Sequence, residues 1–216
     1  MQATDHLLAE HEKISSMLRV LERMCEHLKK GEVLPQEQIE DLLLFFELFS
    51  DQLHHAKEEE ILLPALIQSG FPWKGGPLCS YFKQMQMWDE SIQEQVKALN
   101  QEFELNLIFD SDPFSPKRSL PVLEEHVLGR ALVRVLRLEI AKPSSFTRFA
   151  CRFISLLDAH IDKENRCLFP MLDDTFNSEA QQKLTSQFCE MEKKFVNQER
   201  FQQLEQKWNE LRSIWL

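Results

Sequence analysis

Apolar positions recur every three to four residues along most of the chain, the period of amphipathic helices. Residues 4 to about 30 place Leu7, Ile14, Leu18, Leu21 and Met24 on one stripe, with Thr4 or Asp5 as the N-cap and Gly31 where a C-terminal cap belongs. Pro35 opens a second helix that carries Ile39, Leu42, Leu43, Phe46, Phe49, Leu53, Ile61 and Leu62 and runs to Gly70. Pro64, near its end, predicts a kink or a stop. FPWKGGP at 71–77 reads as a loop, followed by a long helix from Leu78 to about Phe109 and a second loop at 110–120. Further helices are predicted from Pro121 to Ala141, from Ser145 to Leu172 with Pro170 near its end, and from Ser178 to about Ile214. Ser178 and Gln181 form a candidate capping box at the start of the last one. The expected fold class is all-α. One domain, 1–216, is expected, with a bundle core at 5–70 and 121–172, an inserted helical segment at 75–118 and a C-terminal helical extension at 178–216.

Composition supports this reading. Only 5 of 216 residues are glycine, against roughly 7% in an average protein, and no GxGxxG, GxxxxGK[ST] or GxSxG motif is present. Lys and Arg number 25 against 35 Asp and Glu, a formal net charge of −10. That balance speaks against nucleic-acid and anionic-membrane partners. No apolar run approaches the roughly 20 residues needed to cross a bilayer, and the N-terminal residues do not read as a secretory signal. The five cysteines (Cys25, Cys79, Cys151, Cys167, Cys189) are scattered and never CxxC. They read as reduced core fillers in a cytoplasmic protein.

The chemistry lies in a repeat. HHAKEEEILLPAL at 54–66 and HIDKENRCLFPML at 160–172 share His, then Lys three later, Glu four later, Leu eight later, Pro ten later and Leu twelve later. A Glu-His dipeptide precedes each, Glu10-His11 and Glu125-His126. Two similar helical hairpins therefore pack as a pseudo-symmetric four-helix bundle with a metal site in its core. Positions four apart share a helix face, so His54 with Glu58 and His160 with Glu164 can each aim an imidazole and a carboxylate at one point. His11 and His126 add one nitrogen each from the other two helices. Four imidazoles and two carboxylates without a thiolate suit iron or manganese, and two bridging carboxylates would hold two ions about 3.5–4 Å apart.

A single His–Glu pair at this spacing is ordinarily a solvated surface pair, but here the neighbours are apolar. His11 is in line with Leu7, Ile14 and Leu18, His54 with Phe46 and Ile61, His126 with Val122 and Val133, and His160 with Phe153, Leu156 and Leu157. Four buried imidazoles and two carboxylates need a compensating partner. The remaining histidines, His6, His27 and His55, have charged neighbours and read as solvated, as do Glu59, Glu60 and Arg130. Cys167 reads as a core filler, and the Phe and Met stripes, among them Phe45, Phe46, Phe49, Met85 and Met87, as core.

The segments EHEKI at 10–14, HHAKEEEILLP at 54–64, EEHVLGRAL at 124–132 and HIDKENRCLFP at 160–170 resemble the hemerythrin-like (HHE cation-binding) family. The resemblance implies an up-down four-helix bundle holding two non-haem iron ions that bind O2 or a related small molecule. Position by position, the implied ligands are His11, His54, Glu58, His126, His160 and Glu164, with Glu58 and Glu164 bridging. Two positions depart from the oxygen-carrying members. Arg130 stands where they have a further histidine, four after His126, and Glu164 is four rather than five residues after His160. The four-His, two-Glu set is closer to members implicated in nitric oxide response and iron–sulfur cluster repair.

The function expected is that of a cytoplasmic di-iron (or manganese) protein binding or sensing O2, NO or peroxide. One alternative is a di-iron enzyme that reduces peroxide or NO or serves cluster repair. Another is a metal-free helical module whose acidic surface binds a protein. The segment 178–216 is expected to pack as a fifth helix or to make a homodimer contact.

Overall fold

The structure, a computed structural model, describes residues 2–70, 91–107, 121–196 and 199–216. Every regular element among them is helical. Together these helices make an all-α helical bundle. Its first rod is α1 (Ala3–Lys29). The second begins as α2 (Gln36–Phe45), passes through wide π-helical turns at Phe46–His55 and Glu58–Leu62, and finishes as α3 (Leu63–Gln68). After α4 (Ile92–Phe103) come the third rod, α5 (Pro121–Leu138), and the fourth, α6 (Pro143–Lys163). The fourth continues through a π-helical turn at Glu164–Leu168 into α7 (Phe169–Thr175). α8 (Ser178–Val196) and α9 (Glu199–Trp215) close the chain. The rods form a ring, with α1 on α6, α6 on α5, and the π-helical part of the second rod on both α5 and α1.

Local sequence sets the ends. α1 stops where Gly31 takes φ +81°. Its N–H bonds Leu28 O and that of Glu32 bonds His27 O, a Schellman cap that only glycine enters without strain. At its other end α1 starts one residue earlier than expected. Gln2 is the N-cap, and its N–H donates to the Asp5 carboxylate at 2.7 Å. Pro143 begins α6 at a position where its missing N–H costs nothing, two residues before the expected start.

The prolines of the repeat neither stop nor break their rods. Each is preceded by a widened turn in which the N–H before the proline bonds a carbonyl five residues back, Leu63 to Glu58 and Phe169 to Glu164. A proline in a helix donates nothing and clashes with the carbonyl four back. The wider turn accommodates both effects. The same adjustment occurs in both halves, at the glutamates of the repeat, and π turns are often found at functional positions.

The predicted helix Leu78–Phe109 is corrected. Residues 71–90 and 108–120, with Cys79, Met85 and Met87, lie outside the described residues. Ser91 has extended backbone angles and caps a new helix by accepting from the Glu94 N–H, so no continuous helix crosses it. That helix ends at Glu104, which has a left-handed φ of +52°. α4 lies along α5, as expected of an extra helix.

The Ser178–Gln181 capping box is also corrected. Asn177 caps α8 by accepting from Ala180 N at 3.0 Å. Gln181 instead accepts from the buried Ala3 N at 2.9 Å, which ties α8 to the open N-terminus of α1. The single C-terminal helix expected over 178–214 is described as two, with 197–198 outside the described residues. α9 packs on α2 and α1 as an additional bundle helix. Its Trp208 ring stands 5.0 Å from that of Phe45, and its indole N–H donates to Asp41 O.

The core has two apolar layers. The larger joins Ile14–Cys25 of α1 to Leu42–Leu53, Leu128–Leu136 and Phe146–Ile161. The smaller, at the other end, gathers Leu7, Leu62, Leu66, Val122, Leu168, Phe169 and Leu172 with Leu184 and Phe188 of α8. Between them lies a layer of buried polar side chains from all four rods.

Candidate metal centre

The structure brings together all six residues singled out by the repeat, and each is essentially without solvent exposure. The imidazoles form two pairs. His11 Nε2 and His54 Nε2 are 3.0 Å apart, and His126 Nε2 and His160 Nε2 are 3.2 Å apart. Each carboxylate faces one imidazole of each pair. Glu58 Oε1 lies 3.7 Å from His54 Nε2, while its Oε2 lies 3.5 Å from His126 Nε2. Glu164 Oε2 lies 3.2 Å from His11 Nε2 and 3.3 Å from His160 Nε2. None of the four carboxylate oxygens has a hydrogen-bond partner of fitting geometry.

Every imidazole is oriented from behind. His54 Nδ1 is 3.0 Å from Glu10, and Glu10 is gripped in turn by the Lys57 ammonium. His160 Nδ1 is 2.9 Å from Glu125, which is gripped by Lys163. His11 Nδ1 meets Asn165 Oδ1 at 2.6 Å, and His126 Nδ1 meets Glu59 Oε1 at 2.8 Å. A hydrogen bond at Nδ1 leaves Nε2 as the free face of the ring, which is how metal-binding histidines are usually held. The pattern is a pseudo-two-fold. The Glu of each Glu-His dipeptide orients the histidine on the other rod of its hairpin, and the residue after each central glutamate orients the dipeptide histidine of the opposite hairpin. These six supporting residues were not foreseen. The signal was present, because the repeat carries Lys three after His in both halves and the dipeptide carries Glu.

Three expectations fail here. His55 is buried and stacks on His126, with centroids 3.9 Å apart. Its flanking charges, Asp51 and Glu59, are drawn to Arg130 instead of holding the ring in water. Glu59 belongs to the site through His126. Arg130 bonds Asp51 Oδ1 and Glu59 Oε1 at 2.7 and 2.5 Å, so it braces the second and third rods together. His55 and Arg130 line a cavity of about 190 Å³ with Ser50, Asp51, Val133 and Phe153. His27 is half-exposed and pairs with Glu32, as expected, and His6 is partly exposed beside Glu192. Glu60 is exposed, and Cys167 is partly exposed.

Electrostatics favour a cation. Burial and the charge of Glu164 push the Glu58 carboxyl well above the usual range. Burial also pushes Glu164 up, but His160 and His11 outweigh it and hold the carboxyl low. Burial drives His54, and still more His55 and His126, below the ordinary imidazole value, so these rings stay neutral. Neutral imidazole and carboxylate are the forms that bind metal.

Among the described residues, two groups of side chains have ligand atoms close enough to hold one ion each. They are His11, His54, Glu58 and Glu164, and His55, Glu58, His126 and His160, with atoms within 4.8 Å in each. Glu58 belongs to both, and neither contains cysteine. The residues fit metal cations, because four carboxylate oxygens without a partner converge with four imidazole nitrogens.

Residues 2–78 match the family model described as Hemerythrin HHE cation binding domain. The first hairpin is thus similar to that domain. No curated protein and no solved structure matches the chain. The matched span contains His11, His54 and Glu58. His126, His160 and Glu164 lie beyond it, and the fold brings them to the first three. Among the described residues no helix is long and apolar enough to cross a membrane.

The neutral imidazoles set an acid response for the cation-free protein. Below pH 6.5 the unfolded chain protonates three histidines that the folded chain keeps neutral, His54, His55 and His126. Above pH 4.5 the folded chain retains one proton on Glu58 that the unfolded chain has lost. The unfolded state therefore binds more protons in this window, and stability falls as pH falls, by about 1.4 kcal/mol per pH unit for each net proton. Melting of chelator-treated protein should occur at lower temperature at pH 5.5 than at pH 7.5; an unchanged or higher value contradicts the assignment.

Proposed function

We propose that the protein is a non-haem di-iron protein that binds O2 or a related small molecule such as NO or peroxide. One observation carries this reading. Four buried imidazole Nε2 atoms and two unpartnered carboxylates converge, each carboxylate spanning both imidazole pairs. In the proposed assignment His11 and His54 would hold one ion and His126 and His160 the other, with the carboxylates of Glu58 and Glu164 available to both. A pair of iron ions would supply redox chemistry and open coordination positions for a small ligand. Manganese satisfies the same nitrogen and oxygen donors. The chain's own residues hold the rings, keep His54 and His126 neutral, and exclude water with an apolar layer on either side.

The cavity beside His55 and Arg130 borders this centre on the second and third rods. Of its charged lining, Arg130 is paired with Asp51 and Glu47 with Arg137, while Arg134 donates to Leu105 O.

Metal analysis after anaerobic loading with iron(II) should give about two irons per chain. Oxidation should produce near-ultraviolet charge-transfer absorption that is lost with Glu58→Ala and Glu164→Ala. Fewer than one bound ion of either iron or manganese would refute the reading.

A further inference from the structure

The pseudo-two-fold breaks outside the converging ligands, at the two lysines. Lys163 is paired with Glu125, on the neighbouring rod of its own hairpin. Lys57 has no solvent exposure at all and is paired with two carboxylates, Glu10 and, at 2.5 Å, Glu192. Glu192 belongs to α8, outside both hairpins of the repeat and outside the hemerythrin-like match. A second α8 residue attends the same ammonium, since the buried Phe188 ring centroid lies 5.8 Å from Lys57 Nζ. His6 also faces Glu192, at 3.8 Å.

A buried ammonium must have its charge answered by protein, because water cannot reach it. With α8 seated, one lysine is shared between Glu192 and Glu10, and Glu10 is thereby held against His54 Nδ1. With α8 displaced, Lys57 meets solvent and its grip on Glu10 relaxes. Groups hydrogen-bonded behind a metal-binding imidazole typically change metal affinity 10- to 100-fold. The relay Glu192–Lys57–Glu10–His54 thus connects the C-terminal extension to one side of the centre and leaves the other side alone.

We propose that Glu192 is a positioning residue of the metal centre, acting through Lys57 and Glu10 on His54, so that cation binding and the seating of α8 strengthen each other. The proposal rests on the cation-binding reading above. By linkage, whatever factor α8 contributes to cation affinity, the cation returns to the docking of α8.

The test uses the full chain and cobalt(II) as a paramagnetic probe. The variants are Glu192→Gln, which preserves shape, and Glu190→Gln, an exposed control on the same helix. In wild type, cobalt should slow amide exchange across α8. In Glu192→Gln that protection should be lost and the cobalt dissociation constant should rise about fivefold or more. The shifted imidazole N–H resonance of His54 should move while that of His160, the internal control, stays in place. A Glu192→Gln protein with wild-type affinity and an unmoved His54 resonance would overturn the proposal, as would an equal effect of Glu190→Gln. Wild-type protein that takes up neither cobalt nor iron would instead overturn the cation-binding reading beneath it.

Discussion

Replacing both central carboxylates by amides, Glu58→Gln with Glu164→Gln, is expected to abolish the thermal response to divalent cations, and Glu58→Gln alone to raise the stability of the cation-free protein. In the wild type both carboxylates are fully buried and without hydrogen-bond partners. Burial and the Glu164 charge keep the proton on Glu58, whereas His160 and His11 hold Glu164 ionised, so the two amides act in opposite directions on the cation-free fold. Glu58→Gln leaves no cavity and needs no proton uptake on folding, so the cation-free protein should gain roughly 1–3 kcal/mol near neutral pH, or about 2–10 °C in Tm for a chain of this size. Cations stabilise the wild type by more. Two sites saturated at one hundred times Kd stabilise the wild type by about 5 kcal/mol, or roughly 10–20 °C. Calorimetric scans with and without iron(II) or manganese(II) check both arms. A double variant that still gains 10 °C with cation would show that the ligands lie elsewhere.

Lys163→Met should destabilise the protein by about 3–5 kcal/mol, the range for stranding one member of a buried ion pair, and lower Tm by roughly 6–20 °C. Lys163 and Glu125 are both buried, and Glu125 carries the bond to His160 Nδ1. Without the ammonium the carboxylate loses its counter-charge and the imidazole loses a fixed partner. Adding Glu125→Gln should recover part of the stability, because the stranded charge is gone, but it should not recover cation affinity. Thermal melts combined with cation titrations separate the two effects. Equal stability of the single and double variants would argue that the pair is not coupled.

The substitutions now expected to matter differ from those the sequence alone would select. Sequence reading treats His55 as a solvated ring, because Asp51 and Glu59 flank it on its own helix, and Arg130 as a solvated cation. In the fold His55 is covered by His126, and Arg130 reaches Asp51 and Glu59 across the rod boundary. Charge on one helix face does not predict exposure when the facing helix supplies the opposite charge.

Much of the architecture was legible from one dimension because its causes are local. Helical period, a glycine at a left-handed cap, and prolines at matching places in two repeats act within a turn or two of chain, as at Gly31, Pro64 and Pro170. The convergence of His11, His54, Glu58, His126, His160 and Glu164 was legible for the same reason, since four-residue spacing fixes a face and the apolar neighbours point that face inward. Even so, an isolated proline predicted a kink, and only the backbone disclosed the widened turns that absorb it. What tertiary structure alone decided are contacts between residues far apart in sequence. It brought Glu10 to His54 and Lys57, Glu125 to His160 and Lys163, and Glu192 across from α8 to Lys57. Those pairings depend on the relative height and rotation of packed rods, which many side chains set together and no local spacing encodes.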